Sequence, residues 1–235
     1  RLSVAASFLT GVVFAVHPAL SEAVNSVVGR AELLAACFGF LGVWVWLESS
    51  RRDRSSVWLG VACFVLLVAS QLAKESGFVI VAGLCLYALG RKCKITLCWP
   101  PAAAALAGPL TKWWVTGKLL PVGIGFLDNP LAYADPTVRV LNGFGAFLRY
   151  IKLLICPWPL AADYSYNQIP TLTDFTALTL WLPLLMVASA GIVGYRHRLW
   201  RRPIFLWVAV SGGALVAFSN ILIVSGTLHA ERLAY

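Results

Sequence analysis

The chain has 235 residues, 60% of them hydrophobic and only 12% charged, with a net charge of +9. A soluble globular domain is about a quarter charged. This composition, with a mean hydropathy of +0.79, therefore excludes an ordinary soluble domain and points to an integral membrane protein. The basic residues come in short runs beside apolar segments, the pattern of cytoplasmic membrane flanks rather than of nucleic-acid binding.

A spanning helix needs about 20 mostly apolar residues. In chain order, the sequence predicts a partial span ending near Val16 and further spans near 31–48, 57–73, 75–90, 96–115, 175–195 and 203–226. Lys and Arg concentrate in short cytoplasmic loops. The clusters Arg51-Arg52-Asp53-Arg54, Arg91-Lys92-Cys93-Lys94, and Arg196-His197-Arg198 with Arg201-Arg202 fall at alternate span ends. Placing them in the cytoplasm leaves 17–30, the Lys74-Glu75 turn, 116–174 and 227–235 on the opposite face. Parity then requires the apolar stretch 138–158 to lie along the membrane surface or re-enter rather than cross. Its Arg139, Arg149 and Lys152, with Pro157 and Pro159 at its end, suit an interfacial helix. Most of the acidic residues gather on the non-cytoplasmic face, where any chemistry is expected.

Residues 17 to 34 read HPALSEAVNSVVGRAELL, a polar island between apolar stretches. Pro18 suits the first turn of a short helix, on which His17, Ser21 and Asn25 would stack at i, i+4, i+8, with Glu22, Ser26 and Arg30 in the adjacent row. Gly29 permits a break before the next span begins at Arg30. The segment reads either as a solvated connector with a Glu22–Arg30 contact or as the wall of a polar site. The Lys74-Glu75 pair is either a wet turn or an ammonium offered to a phosphate with a carboxylate to orient it.

Within the 116–174 loop, Asp128-Asn129-Pro130 marks a turn. Pro157-Trp158-Pro159-Leu160 leads to Asp163, which either caps a turn or hydrogen-bonds a sugar hydroxyl. At the end of the chain, Glu231-Arg232 is either an interfacial end with a snorkelling Arg or an Arg gripping phosphate bidentately, steadied by the Glu.

The cysteines (Cys37, Cys63, Cys85, Cys93, Cys98 and Cys156) show no CxxC and no metal-ligand spacing with His. Neither a disulfide framework nor a metal site is expected. P-loop, GxSxG, HExxH and GxGxxG motifs are missing, so hydrolase, ATPase and zinc-protease chemistry has no support.

Five ordered stretches carry a resemblance: FAVHPALSEAVNSVVGRAELLA (14–35), LAKESG (72–77), DNP (128–130), PWPLAADYS (157–165) and GTLHAERLAY (226–235). Together they resemble the transmembrane and tetratricopeptide-repeat-containing protein O-mannosyltransferases. Ala19-Leu20-Ser21 stands where that family tends to have Val-His-Thr, so its second His is absent, and Ala234 replaces its usual Leu.

The resemblance implies an all-α GT-C-type membrane bundle across 1–235, with about seven spans in this stretch and an interfacial helix in a lumenal loop at 116–174. It implies a multi-pass protein of the endoplasmic reticulum membrane with a lumenal active face. The implied reaction moves mannose from dolichyl-phosphate-mannose to Ser or Thr of a protein acceptor, including cadherin-type domains, without a cofactor. Arg1 opens directly into an apolar run and Tyr235 falls inside a motif. The chain thus reads as the interior of a longer protein, whose first lumenal loop and C-terminal tetratricopeptide repeats lie elsewhere, and as inactive alone.

For that chemistry Arg30, Lys74 and Arg232 are expected to hold phosphate, with Glu231 steadying Arg232. His17, Glu22, Glu75 and Asp163 are expected to orient sugar or acceptor, and Asp163 is the second choice of base after the acidic residue that the family usually carries in its first lumenal loop. The rivals are another polyprenyl-phosphate-sugar transferase, a transporter, or a non-catalytic membrane scaffold. Polar groups at span ends on one face favour a transferase over a transport pathway.

Overall fold

A computed structural model of the chain describes residues 3–27, 29–51, 57–90, 93–118, 124–160, 169–173, 178–198, 210–213, 215–216, 219–221 and 224. Among these every regular element is helical and none is a strand. The chain divides into two compact units: one comprises Arg1–Arg30, Ile124–Leu184 and Leu215–Tyr235, the other Ala31–Gly123 and Leu185–Ala214.

The first unit opens with α1 (Val4–Val16), capped by Ser3, whose hydroxyl accepts from the Ala6 N–H at 3.1 Å. The chain leaves helical geometry at His17 (φ −65°, ψ 124°), makes a one-turn 3-10 helix at Pro18–Leu20, and continues as α2 (Ser21–Asn25). A short helix thus begins at Pro18 as expected, but as one 3-10 turn followed by α2, and it ends at Asn25, so Arg30 does not join Glu22 and Ser26 in one helical row. Pro18 has no N–H to extend the first helix, and α1 and the Pro18–Asn25 segment meet at a bend of 51°. Beyond α2 the chain folds back so tightly that a Cβ on Gly29 would lie 2.2 Å from the Ala23 carbonyl oxygen.

Downstream, Asn129 starts a 3-10 helix at Pro130–Tyr133, and Asp135 caps α7 (Pro136–Ile155) with Pro136 at its first position. Val138, Leu141, Ala146, Tyr150 and Leu153 are buried along one stripe of α7, while Arg149 and Lys152 are exposed. This is the amphipathic helix expected at 138–158. Two fully buried asparagines tie the unit together: Asn129 Nδ2 donates to Asn220 Oδ1 at 2.7 Å, and Asn129 Oδ1 accepts from the Leu131 N–H at 3.1 Å. Asn220 sits at φ 65°, a left-handed conformation that Asn tolerates better than most residues.

The second unit packs α3 (Arg30–Arg51, from Ala31 onward), α4 (Val57–Ala73), α5 (Gly77–Gly90) and α6 (Ile95–Thr116). The inward stripe of α3 is Glu32, Ala35, Ala36, Gly39, Gly42, Trp46 and Ser49. Small residues at this helical spacing let backbones approach closely: a Cβ on Gly42 would meet Leu67 Cδ2 at 2.8 Å. Buried polar groups bridge the helices. Ser70 Oγ donates to the Ala35 carbonyl at 2.7 Å, and Gln71 Nε2 to the Ala104 carbonyl at 2.8 Å.

Helix α6 carries Pro100, Pro101 and Pro109 inside it. Because Pro101 has no N–H, the Leu97 carbonyl four residues earlier loses its helical donor. The Trp46 indole supplies the replacement, donating to Leu97 O at 2.7 Å. Trp46 also stands edge-on to Tyr87, with ring centroids 5.9 Å apart, in a core with Cys63, Leu67, Val81, Leu84 and Ala88.

Much of the outward surface is apolar, including Phe8 and Leu9 of α1, Trp58 and Val65 of α4, and Leu106 and Trp114 of α6. Apolar area on that scale marks contact with lipid or protein rather than with water. Among the described residues α3 alone is long and apolar enough to cross a membrane; α1 with Pro18–Asn25 makes a second if the bent pair is one span. The other expected spans at 57–73, 75–90, 96–115 and 175–195 are present as helices α4, α5, α6 and α8 (Leu178–Arg196). Of these α4, α5 and the Leu184–Arg196 part of α8 are apolar but shorter than that standard. Most of 203–226 lies outside the described residues.

Candidate functional site: two ion pairs at one end of a helical unit

At one end of the second unit lie the start of α3, the turn between α4 and α5, and the last turns of α6. Four ionisable residues meet there. Glu32 falls in the first turn of α3, where the exposed amide dipoles favour a carboxylate. Its side chain is only 3% exposed. The Lys74 ammonium donates to Glu32 Oε1, and Ser76 Oγ donates to Oε2 at 3.1 Å. A buried carboxylate is costly unless paired and hydrogen-bonded, and Glu32 is both. Gly77 makes the turn possible, since a Cβ there would lie 2.5 Å from the Ser70 carbonyl oxygen.

Glu75 turns the other way. Its Oε1 accepts from Lys112 Nζ of α6 at 2.7 Å. The hydrogen bond from Lys112 holds the Glu75 carboxyl below the usual carboxylate range, helped by the charges of Lys112 and Lys74 and opposed by partial burial. A depressed carboxylate stabilises the fold at neutral pH, and that contribution fades only as pH falls through the lowered value. The Lys74-Glu75 dipeptide is therefore not one functional couple. Each member is claimed by a different helix.

The expected residues of the first unit are arranged differently. His17 Nδ1 accepts from the Ala19 N–H at 3.3 Å, which leaves Nε2 to donate to the Leu154 carbonyl at 3.2 Å. With both ring nitrogens engaged, His17 ties the start of the 3-10 helix to the end of α7. Arg30 is exposed at the start of α3. Glu22 is in α2, and its side chain lies outside what is described. Asp163, Glu231 and Arg232 also lie outside the described residues. In the DNP motif, Asn129 serves the buried pair with Asn220, and Asp128 is exposed.

Glu32 and Lys112 were not singled out from the sequence. Glu32 had a usable signal, being a carboxylate at a helix start inside the GRAELLA word. Lys112 had none, because its partner is 37 positions away on another helix. Among the described residues no group of His, Cys, Asp and Glu could hold a metal ion, and the six cysteines are free thiols.

These features define a membrane-associated chain, all-helical in its regular elements among the described residues, with an apolar exterior and a cluster of two ion pairs, one around a buried carboxylate, at one end of a helical unit. Over nearly its whole length the chain is similar to protein O-mannosyl-transferases. It is 29% identical to Tmtc3 of Drosophila melanogaster over 97% of the chain and 30% of that protein. It is 27% identical to human TMTC4 over 100% of the chain and 37% of that protein. A Caenorhabditis elegans protein O-mannosyl-transferase, F38B6.6, is 29% identical over 97% of the chain and 32% of its own length. The chain thus spans about a third of the length of these curated relatives. No family model and no solved structure matches it. The resemblance carried by the five motifs extends to the whole chain.

Proposed function

We propose that this chain is a segment of the membrane domain of a protein O-mannosyltransferase, a GT-C-type glycosyltransferase with about seven spans in this stretch and a lumenal 116–174 loop. It acts in the endoplasmic reticulum membrane with its active face lumenal. The donor is dolichyl-phosphate-mannose and the acceptor a Ser or Thr hydroxyl of a secretory-pathway protein, cadherin-like domains among them. The observation that carries this reading is the charge cluster Glu32–Lys74 with Glu75–Lys112 at one end of an apolar helical unit, within a chain similar throughout to protein O-mannosyl-transferases.

The reaction needs what such an end offers. The acceptor oxygen attacks C1 of mannose, the C1–O bond to phosphate breaks, and dolichyl phosphate leaves. A carboxylate takes the hydroxyl proton, and cations balance the charge on the departing phosphate. Arg30, Arg232 and a lysine of the charge cluster are assigned to phosphate, with Glu231 beside Arg232. Glu22, His17 and Asp163 are assigned to sugar and acceptor, Asp163 as a second choice of base.

The test is transfer of labelled mannose from dolichyl-phosphate-mannose to an acceptor domain by the full-length protein in microsomes. Arg232→Ala is expected to abolish transfer while the protein remains folded. Wild-type transfer by that variant refutes the assignment of Arg232, and absence of transfer by the unmodified protein refutes the function.

A further inference from the structure

The two ion pairs are unequal in a way that decides which cation is free to meet a ligand. Glu32 is 3% exposed and Lys74 22%, and Ser76 completes the carboxylate's shell. Taking the ammonium away would leave a buried carboxylate unpaired, so Lys74 is committed to Glu32. Glu75, by contrast, is 65% exposed and Lys112 28%, and the two meet through a single hydrogen bond of 2.7 Å. A pair whose carboxylate stands in water is held only weakly. Its carboxylate can be exchanged for another anion at little cost.

Lys112 also lies at a suitable depth. The exposed Trp113 and Trp114 follow it at the end of α6, and Trp favours the membrane–water interface. Glu75 remains ionised at neutral pH and is a rival anion in the place where a ligand's charge would sit.

We propose that Lys112 receives the phosphate of a lipid-linked sugar, which displaces Glu75, while Lys74 stays locked to Glu32. This rests on the transferase reading and replaces Lys74 by Lys112 as the exchangeable cation of this unit. The donor diester carries one negative charge and the departing monoester approaches two. Lys112 therefore favours the departing state more than the bound donor.

The experiment measures binding of dolichyl phosphate to the full-length protein in nanodiscs, with inorganic phosphate as competitor, alongside the KM for dolichyl-phosphate-mannose. Lys112→Gln is expected to weaken dolichyl phosphate binding and raise the donor KM about tenfold, a loss of one charge-assisted contact. Lys112→Arg keeps most of the affinity. Glu75→Gln, which removes the rival carboxylate, tightens binding.

Opposite signs for Lys112→Gln and Glu75→Gln establish exchange. Equal shifts in the same direction, or none, mean that the pair only braces α6 against the turn and overturn the proposal. Inorganic phosphate competing at the concentration of dolichyl phosphate overturns the lipid assignment. A wild-type protein that binds dolichyl phosphate through Lys112 yet transfers no mannose upholds the site and refutes only the transferase reading. Failure of the wild type to bind refutes both.

Discussion

The Glu32 carboxylate is nearly sealed from solvent and held by Lys74 and Ser76. The helix start provides partial positive charge, worth about 0.3–1 kcal/mol at an exposed site and more when partly buried. That alone does not offset desolvation of an ion, whose effective cost is several kcal/mol. The ammonium is therefore required. Glu32→Ala is expected to destabilise the protein by about 3 kcal/mol, the low end for a broken buried pair because Lys74 still reaches water. Ser76→Ala should cost about 1.5–3 kcal/mol, one hydrogen bond to a charged group. The double change Glu32→Leu, Lys74→Met leaves no unpaired charge and should recover most of the single-variant loss. Thermal unfolding in detergent reads all three, and a double variant no more stable than Glu32→Ala contradicts the ion-pair account.

At the scale of elements, α6 shows how a helix rich in proline is kept continuous. Pro101 orphans the Leu97 carbonyl, and Trp46 of α3 repairs it across the helix interface. Trp46→Phe keeps the aromatic contact with Tyr87 but removes the donor, so a buried carbonyl is left unsatisfied at a cost of about 1–3 kcal/mol. In a Pro101→Ala background the backbone N–H returns to Leu97, and the same Trp46→Phe change should cost little. Equal losses in both backgrounds, measured as a double-mutant cycle, would show that the indole bond is incidental. Helix α7 illustrates a different principle. With Asp135 and Pro136 to start it and one apolar stripe, it buries a single face and keeps Arg149 and Lys152 exposed.

For the whole molecule, Glu32, Lys74, Glu75 and Lys112 gather at one end of the second unit, whereas Glu48–Arg51 and Lys94 belong to the other ends of α3 and α6. This segregation follows the alternation of Lys and Arg along the chain. An N-glycosylation acceptor inserted after Lys118 of the full-length protein should be glycosylated in the endoplasmic reticulum, and one inserted after Arg51 should not. A mobility shift on gels reports the modification, and the reverse result inverts the orientation.

Much of the architecture was legible before any coordinates. Apolar runs of helical length predicted α1, α3, α4, α5, α6 and α8 near their observed bounds, because a helix satisfies its backbone locally whatever surrounds it. The apolar run at 138–158 marked α7, and the freedom of glycine marked the break at Gly29. The row of Glu22, Ser26 and Arg30 does not form on one helix, since α2 ends at Asn25 and the turn after it brings Gly29 against Ala23. The motifs marked Lys74 and Glu75, yet pairing is a property of neighbours in space. Only the packing of α3 and α6 around one turn decided that Lys74 belongs to Glu32 and Glu75 to Lys112. The two carboxylates differ most in burial, Glu32 at 3% exposed against Glu75 at 65%, and the same charges attract strongly out of water and weakly in it. The sequence by itself determined the helices, their order and the face on which polar groups collect; the tertiary structure decided which charges are spent on holding the fold.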